Sequence, residues 1–198
     1  MRSRFVAVLL ALGLNLSVGV TQAAAQRRTP GRAPARAPSK DMWAVGGSIG
    51  VSVPTDPSLD SGFDISGNIE RYLTPRVSVR GQLGAAWWDI VGRHFTGTVN
   101  PVYLDGNLVY NWEGGKWHPY VTGGIGLYRF RSEESLAPNG SDTNFGGNVG
   151  GGIEYFYTRR STITGEGLYH AVGAFNTPLA TFPEGSSWTF TVGLKHYF

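Results

Sequence analysis

The stretch that decides the fold is Trp188-Thr189-Phe190-Thr191-Val192-Gly193-Leu194-Lys195-His196-Tyr197-Phe198. Its apolar side chains recur at every second position, and the side chains of a strand alternate between two faces. One face carries Trp188, Phe190, Val192, Leu194 and Phe198, and the other carries Thr189, Thr191, Gly193, Lys195 and Tyr197. A soluble protein buries such an apolar face in a core, whereas an exported chain can turn it toward lipid. The rest of the sequence favours lipid.

The first 25 residues have the features of a secretory signal. A positively charged start with two arginines precedes an apolar stretch over residues 5–20, and small residues follow at 23–25. The apolar stretch is shorter than the ~20 residues that a membrane-spanning helix needs. The sequence therefore predicts a cleaved signal over residues 1–25 and no membrane helix after it. Barrel strands give a much weaker hydropathy signal and stay compatible with this pattern.

Charge is unevenly distributed along the chain. The whole chain has a formal net charge of +3, but from Asp41 onward ten Lys and Arg residues stand against fourteen Asp and Glu residues. The basic excess lies in the signal and in a Pro/Ala/Arg-rich stretch over residues 26–41, which we expect to be a disordered tail. A domain without a basic stripe argues against nucleic-acid binding. Because the chain has no cysteine, disulfides do not stabilise the single domain expected over residues 42–198.

Eight segments with the same two-residue alternation follow the tail, and no stretch with a helical period competes with them. They begin at Trp43, Phe63, Val77, Val102, Trp117, Asn144, Ser161 and Trp188. The connections between them are alternately long (54–61, 90–99, 132–143 and 172–185) and short (73–76, 113–116 and 158–160). The sequence thus predicts an all-β, eight-stranded, antiparallel up-and-down transmembrane barrel. Both termini and all short turns then lie at one end, and four long loops lie at the other.

Aromatic residues are concentrated at the ends of the predicted strands. Those at the turn ends are Trp43, Tyr72, Trp112, Trp117, Tyr155, Tyr157, Tyr197 and Phe198. Those at the loop ends are Trp87, Trp88, Tyr103, Tyr128, Phe130, Phe145, Tyr169 and Trp188. Because Trp and Tyr prefer the bilayer interface, this distribution predicts two aromatic belts around an aliphatic band. In a soluble barrel, which is the alternative, large aromatics would more often fill the interior.

Residues 42–198 resemble the small eight-stranded outer-membrane barrels of the OmpA/OmpX-like superfamily, by their alternation, their loop lengths and the terminal Phe198. The resemblance implies that Phe190, Val192, Leu194 and Phe198 form a signal read by the barrel-assembly machinery, and that His196 departs from the usual pattern. It also implies a Gram-negative outer membrane with both termini in the periplasm, and contacts with membrane lipid and lipopolysaccharide. We expect a monomer without a fused peptidoglycan-binding domain.

The predicted inward rows carry charged residues. These are Asp64, Glu70, Arg80, Asp105, Glu154, Glu166 and Lys195. A barrel of eight strands has room for little more than its own side chains. Because buried charges need partners, we expect an interior network of ion pairs and hydrogen bonds that plugs the barrel. A gated polar channel is the alternative interpretation.

Catalytic and metal chemistry have little support in the sequence. The histidines at positions 94, 118, 170 and 196 are scattered without metal-ligand spacing. His170 lacks the nearby serine of the His-x-Ser pattern found in outer-membrane deacylases, and the glycine-rich stretch at 146–152 lacks a Walker lysine. Acidic residues of the third long loop (Glu133, Glu134 and Asp142) could bind divalent cations beside lipopolysaccharide, but an ordinary solvated loop explains them better.

Three functions remain open from the sequence. The preferred one is a non-enzymatic outer-membrane barrel without cofactor or metal, which serves as a structural or surface-interaction protein and presents four extracellular loops. The second is a narrow channel for small solutes. The third is a secreted soluble barrel that binds an apolar ligand.

Overall fold

The computed structural model describes residues 38–91, 97–112, 114–134, 139–178 and 181–198. Within these residues, no helix has the length and apolar character needed to cross a bilayer. The predicted signal and residues 26–37 of the predicted tail lie outside the described residues. Ser39 to Asp41, at the end of that tail, already contact the barrel: the amide of Asp41 donates to the carbonyl oxygen of Tyr72 at 2.8 Å.

Twelve strands occur in the described residues. They are β1 (Trp43–Pro54), β2 (Leu59–Asp60), β3 (Gly62–Tyr72), β4 (Val77–Ala86), β5 (Trp88–Ile90), β6 (Gly97–Asn111), β7 (Trp117–Glu134), β8 (Gly140–Phe156), β9 (Ser161–Val172), β10 (Phe175–Asn176), β11 (Thr181–Phe182) and β12 (Ser187–Tyr197). The eight long strands pair with their neighbours in chain order, and β1 pairs with β12 to close the ring. Closure removes the unpaired edges that a bilayer would penalise. The predicted eight-stranded antiparallel barrel is therefore confirmed.

The four short strands lie in the long connections. β2 pairs with β5, and β5 also pairs with the start of β6. β10 and β11 form a small hairpin in which Phe175 lies opposite Phe182.

The connection expected over residues 132–143 is mostly strand, because β7 continues to Glu134 and β8 begins at Gly140. This corrects the predicted loop boundary. Polar and charged side chains stand among apolar ones in this part of the hairpin, so the apolar–polar alternation that reveals a strand is weak there.

Alternation along the strands sorts side chains between lumen and outer surface. In β4, Leu83 is 57% exposed on the outside, while Arg80 is 2% exposed and faces inward with Ser78 and Gln82. The same outer surface carries exposed isoleucines, leucines and valines on all eight long strands, such as Ile49, Ile65 and Val192. Such a continuous apolar surface does not suit a protein dissolved in water. The soluble-barrel alternative is therefore not supported.

The predicted aromatic belts are only partly correct. Six of their members are buried inside the barrel, namely Tyr72, Trp88, Tyr103, Tyr128, Phe130 and Tyr197. They occupy inward positions of the alternation, and inward glycines make room for rings there. A Cβ atom on Gly84, for example, would lie 2.2 Å from Cζ of Tyr103. The exposed members of the predicted belts are Trp43, Trp87, Trp112, Trp117, Phe145, Tyr157, Trp188 and Phe198.

Candidate functional site: the filled lumen

Five of the seven predicted interior charges meet in one group, which we call the lumen cluster: Glu70, Arg80, Glu154, Glu166 and Lys195. The β3–β4 hairpin places Glu70 directly opposite Arg80. Arg80 bonds Glu70 through Nε at 3.3 Å and Glu166 through Nη1 at 2.5 Å. Lys195 on β12 bridges Glu70 at 2.7 Å and Glu154 at 2.5 Å. The cluster thus joins strands from both halves of the chain.

Hydroxyl groups complete the lumen cluster. Ser78 donates to Glu70, and Tyr197 donates to Glu154. Tyr120 donates to Glu166 at 2.7 Å, and the Arg80 guanidinium lies 5.2 Å from the centroid of the Tyr120 ring. Each of the three carboxylates therefore has a cation and a hydroxyl as partners, which is what a buried charge requires.

The other two predicted residues, Asp64 and Asp105, do not join the cluster. Asp64 lies on the loop side of it and accepts a hydrogen bond from the hydroxyl of Tyr103 at 3.2 Å. Asp105 lies near the middle of β6, where it is opposite Gln82 on β4 and Gly126 on β7. The inward orientation of both residues agrees with the alternation, but a shared network with the other five does not form.

An apolar cluster fills the loop end of the lumen. Its members are Leu59, Ala86, Trp88, Ile90, Val99, Tyr103, Tyr128, Phe130, Val172, Phe175 and Phe182. The hairpin of β10 and β11 places Phe175 between Phe130 and Phe182, with ring centroids 4.1 Å and 4.8 Å apart and nearly parallel planes. The alternation along the strands did not predict this cluster. The available signal was the pair of phenylalanines within an otherwise polar, Gly/Pro-rich connection.

The turn end is filled as well, by Ala44, Tyr72, Phe156 and Tyr197, and the ring of His118 packs on Phe156 at 4.9 Å. At the loop end, a cavity bordered by Ser52, Trp88, Tyr128 and His170 measures about 10 Å³. That volume is about the minimum needed for a single water molecule.

The three described histidines have separate surroundings. His170 is buried, with Nδ1 hydrogen-bonded to Tyr128 at 2.9 Å and Nε2 to Thr189 at 3.1 Å. His118 bonds the Gly115 carbonyl oxygen at 3.0 Å. His196 faces outward and pairs with Ser161 at 2.9 Å, a serine–histidine contact that sequence spacing did not reveal. Within the described residues, no carboxylate bonds His196 to complete a hydrolase triad. His94 lies outside the described residues.

The acidic residues of the third connection do not form a metal site in the described part of the chain, where no group of three or more His, Cys, Asp or Glu residues has suitable geometry. Asp142 instead accepts hydrogen bonds from the amides of Thr143 at 2.8 Å and Asn176 at 2.9 Å, and so ties β8 to β10.

The residues of the proposed insertion signal lie on the outer surface of β12 or directly after it. Phe190, Val192, Leu194 and Phe198 are all exposed. They form the lipid-facing row that the alternation predicts. His196 stands in the same row, and its ring packs on that of Phe198 at a centroid distance of 5.0 Å.

Comparisons with known proteins agree with this architecture. The family described as outer membrane protein beta-barrel domain matches residues 10–197, and a search of curated proteins found no match. OprG of Pseudomonas aeruginosa has a similar structure, with 12% identity, a TM-score of 0.61 and coverage of 81% of this chain and 97% of that one. Neisserial surface protein A is 14% identical, with a TM-score of 0.60 and coverage of 79% of this chain and 97% of that one. Ail, the attachment invasion locus protein of Yersinia pestis, is 10% identical, with a TM-score of 0.57 and coverage of 80% of this chain and 99% of that one. At such identities the similarity is one of fold.

Proposed function

We propose that this protein is a closed, non-enzymatic barrel whose role is structural or lies in surface interaction through its four extracellular loops. The chain belongs to the outer membrane protein beta-barrel domain family. This membership places it in the outer membrane. The observation that supports this proposal is the packing of buried side chains along the lumen. They form the loop-end apolar cluster, the lumen cluster and the turn-end group of Ala44, Tyr72, Phe156 and Tyr197.

Surface interaction is supported by what the fold presents at its loop end. β6, β7 and β8 continue past the last pairing of β8 with β9, at Gly146 and Val172, and form a short projecting sheet. Among the similar structures, Ail is named for attachment and invasion, and another is named a surface protein. Under this proposal the barrel is a monomer. Membrane lipid and lipopolysaccharide surround it, and the barrel-assembly machinery inserts it.

Conductance in planar bilayers separates a closed barrel from a narrow channel. We expect no steady single-channel current from the wild-type protein. A triple variant with Phe130, Phe175 and Phe182 changed to alanine is the matched control. It opens the loop end but leaves the lumen cluster in place, so we expect it to stay silent. A reproducible large current from the wild type would favour the channel.

The orientation of the barrel can be tested by labelling, because the natural chain has no cysteine. Ser141→Cys places a thiol on the projecting sheet, and Arg159→Cys places one in a short turn at the opposite end. We expect a membrane-impermeant maleimide to label Ser141→Cys in intact cells, and Arg159→Cys only after the outer membrane is disrupted. The reverse pattern would show that the loops face the periplasm and would contradict the proposed role.

A further inference from the structure

The charged side chains of the strand ends and connections are sorted between the two ends of the barrel. At the turn end the described ones are mostly basic and exposed, and we call them the turn-end basic surface: Lys40, Arg71, Arg76, Lys116, Arg159 and Arg160, with Asp41 as the acidic side chain among them. At the loop end the described ones are mostly acidic: Asp56, Asp60, Asp89, Glu133, Asp142 and Glu184, beside Arg129 and Arg131. The turn end therefore presents a positive surface.

Exposed tryptophans next to the turn-end basic surface mark the level of the bilayer interface. Lys116 directly precedes Trp117, and the guanidinium of Arg71 lies 5.6 Å from the centroid of the Trp43 ring. Both tryptophans face outward and are exposed. Because tryptophan prefers the headgroup level of a bilayer, the cations beside these rings lie where the phosphate groups of the lipids are.

Two of the cations share one open pocket at the seam of the barrel. The pocket measures about 260 Å³ and is bordered by Ser39, Lys40, Asp41, Met42, Arg160 and Phe198. The carbonyl oxygen of Arg160 accepts a hydrogen bond from the amide of Tyr197 at 2.7 Å, so the turn between β8 and β9 is fixed beside the end of β12. A water molecule takes up ~30 Å³, so the pocket has room for a phosphate group.

The charges of Lys40 and Arg160 are not neutralised by the part of the chain that the structure describes. Neither cation forms an ion pair with a described carboxylate, and this includes the α-carboxylate of Phe198. Asp41 borders the same pocket, but its carboxylate pairs with Arg71 at 3.2 Å. Two unpaired cations at one pocket favour an anion between them, and phosphate oxygens accept strong hydrogen bonds from both guanidinium and ammonium groups.

We propose that this pocket binds the phosphate group of an anionic phospholipid in the periplasmic leaflet, with Lys40 and Arg160 as its partners. A lipid fits better than a dissolved phosphate compound, because Phe198 forms one wall of the pocket, is 67% exposed and continues the lipid-facing row of β12. The phosphate can thus lie between the two cations while the acyl chains follow the outer surface of the barrel. The choice of leaflet rests on the proposed orientation, whereas the binding itself does not.

Lipid binding by the refolded protein in detergent tests the proposal. The protein is titrated with phosphatidylglycerol or with zwitterionic phosphatidylcholine, and bound lipid is counted by native mass spectrometry. We expect the wild type to prefer phosphatidylglycerol. The double variant Lys40→Gln/Arg160→Gln should bind it roughly tenfold more weakly, since each cation near an anionic headgroup adds to the attraction. The matched control is Arg129→Gln/Arg131→Gln, which removes two exposed cations at the loop end and should bind like the wild type.

Two further measurements separate this proposal from its alternatives. Lys40→Arg/Arg160→Lys keeps both charges, so it should bind phosphatidylglycerol like the wild type. Glycerol phosphate has the phosphate group but no acyl chains, and at an equal concentration it should not displace the lipid. The proposal is overturned by equal binding of the two lipids, by unchanged binding in Lys40→Gln/Arg160→Gln, by lost binding in the charge-keeping variant, or by displacement with glycerol phosphate. Sedimentation with purified peptidoglycan in place of lipid binding would also overturn it.

Discussion

Leu83 and Gln82 are neighbours in β4, yet one faces outward and the other faces the lumen. An arginine at Leu83 would place a charge near the middle of the lipid-facing surface. We expect Leu83→Arg to destabilise the barrel by ~2–4 kcal/mol, against ~0–1 kcal/mol for Val91→Arg at the loop end. Urea unfolding of protein refolded into lipid vesicles measures both. Equal costs at the two positions would contradict the assigned faces.

Glu70 is the residue on which the lumen cluster depends, because it accepts hydrogen bonds from Ser78, Arg80 and Lys195. Glu70→Gln leaves two buried cations with less negative charge, and we expect a loss of ~3–5 kcal/mol. The control is Asp41→Asn. Its ion pair with Arg71 is more than half exposed on both sides, and we expect a change of ~0–1 kcal/mol. If denaturant unfolding gives similar values for both variants, the cluster does not stabilise the barrel.

Sequence alternation is informative about faces and much less so about partners. It placed Arg80, Lys195 and the five carboxylates on the inner rows, as the structure has them. It could not show that Asp105 stands apart from Glu70, because that depends on the stagger between strands and on which inward neighbours are glycine. Their position near strand ends suggested that Tyr103 and Tyr128 lie at the lipid interface. They stand at inward positions of the alternation, however, and therefore lie inside the barrel.

At the scale of the strand, β12 carries the row of Phe190, Val192, Leu194 and Phe198. If this row is an insertion signal, as the family resemblance implies, deleting Phe198 should lower outer-membrane abundance. Stability after refolding in detergent should change much less, because the Phe198 side chain is exposed and outside the core. Quantitative immunoblots of membrane fractions and urea unfolding measure the two effects. His196→Tyr should leave abundance unchanged or raise it. Equal abundance of wild type and deletion would remove Phe198 from the signal.

The seam between β1 and β12 requires a small residue at Gly50. A Cβ atom there would lie 2.0 Å from the backbone carbonyl oxygen of Phe190, so the strands would have to separate. We expect Gly50→Ala to cost ~1–3 kcal/mol, as overpacking does. Gly106→Ala is the matched control, since its added methyl group would meet nothing within 4 Å, and we expect it to be neutral or stabilising by ~0.5–1 kcal/mol. The midpoints of urea unfolding of the two variants measure these changes in stability. A larger loss of stability for Gly106→Ala than for Gly50→Ala would contradict the seam geometry.

Two strand elements are the ones that sequence reasoning could not find. In the projecting part of β7 and β8 the outward residues, such as Arg129, Arg131 and Ser141, are polar or charged, so no apolar outer row marks it. The hairpin of β10 and β11 is too short for a period, and its two phenylalanines acquire their role only by packing on Phe130, far away in the chain.

For the molecule as a whole, the sequence predicted the closed ring and the alternation of connections, because lipid outside and a side-chain-filled lumen inside impose the same two-residue period on every strand.

The predicted tail belongs to this scale too. We expect deletion of residues 26–37 to leave barrel assembly intact, since the buried Pro38 and the hydrogen bonds of Asp41 and Met42 with Tyr72 all lie beyond the deleted segment. Heat-dependent mobility on gels reports folding of the truncated protein. Failure to refold in detergent would mean that the segment is part of the fold.

The amide of Phe198 donates to the carbonyl oxygen of Trp43 at 2.8 Å, so the strand that comes last lies directly beside the strand that comes first. A covalent link between these ends, with a cut in the short turn at 113–116, would produce a circular permutant that keeps every strand pairing. Ala44 and Tyr197 are far apart in the natural sequence, but in the permutant their pairing would belong to a local hairpin. The pairing of β6 with β7 would then join the two ends of the chain. Since contacts between distant parts of a chain slow folding, the permutant would relocate the slow closure step to a different pair of strands in the same ring.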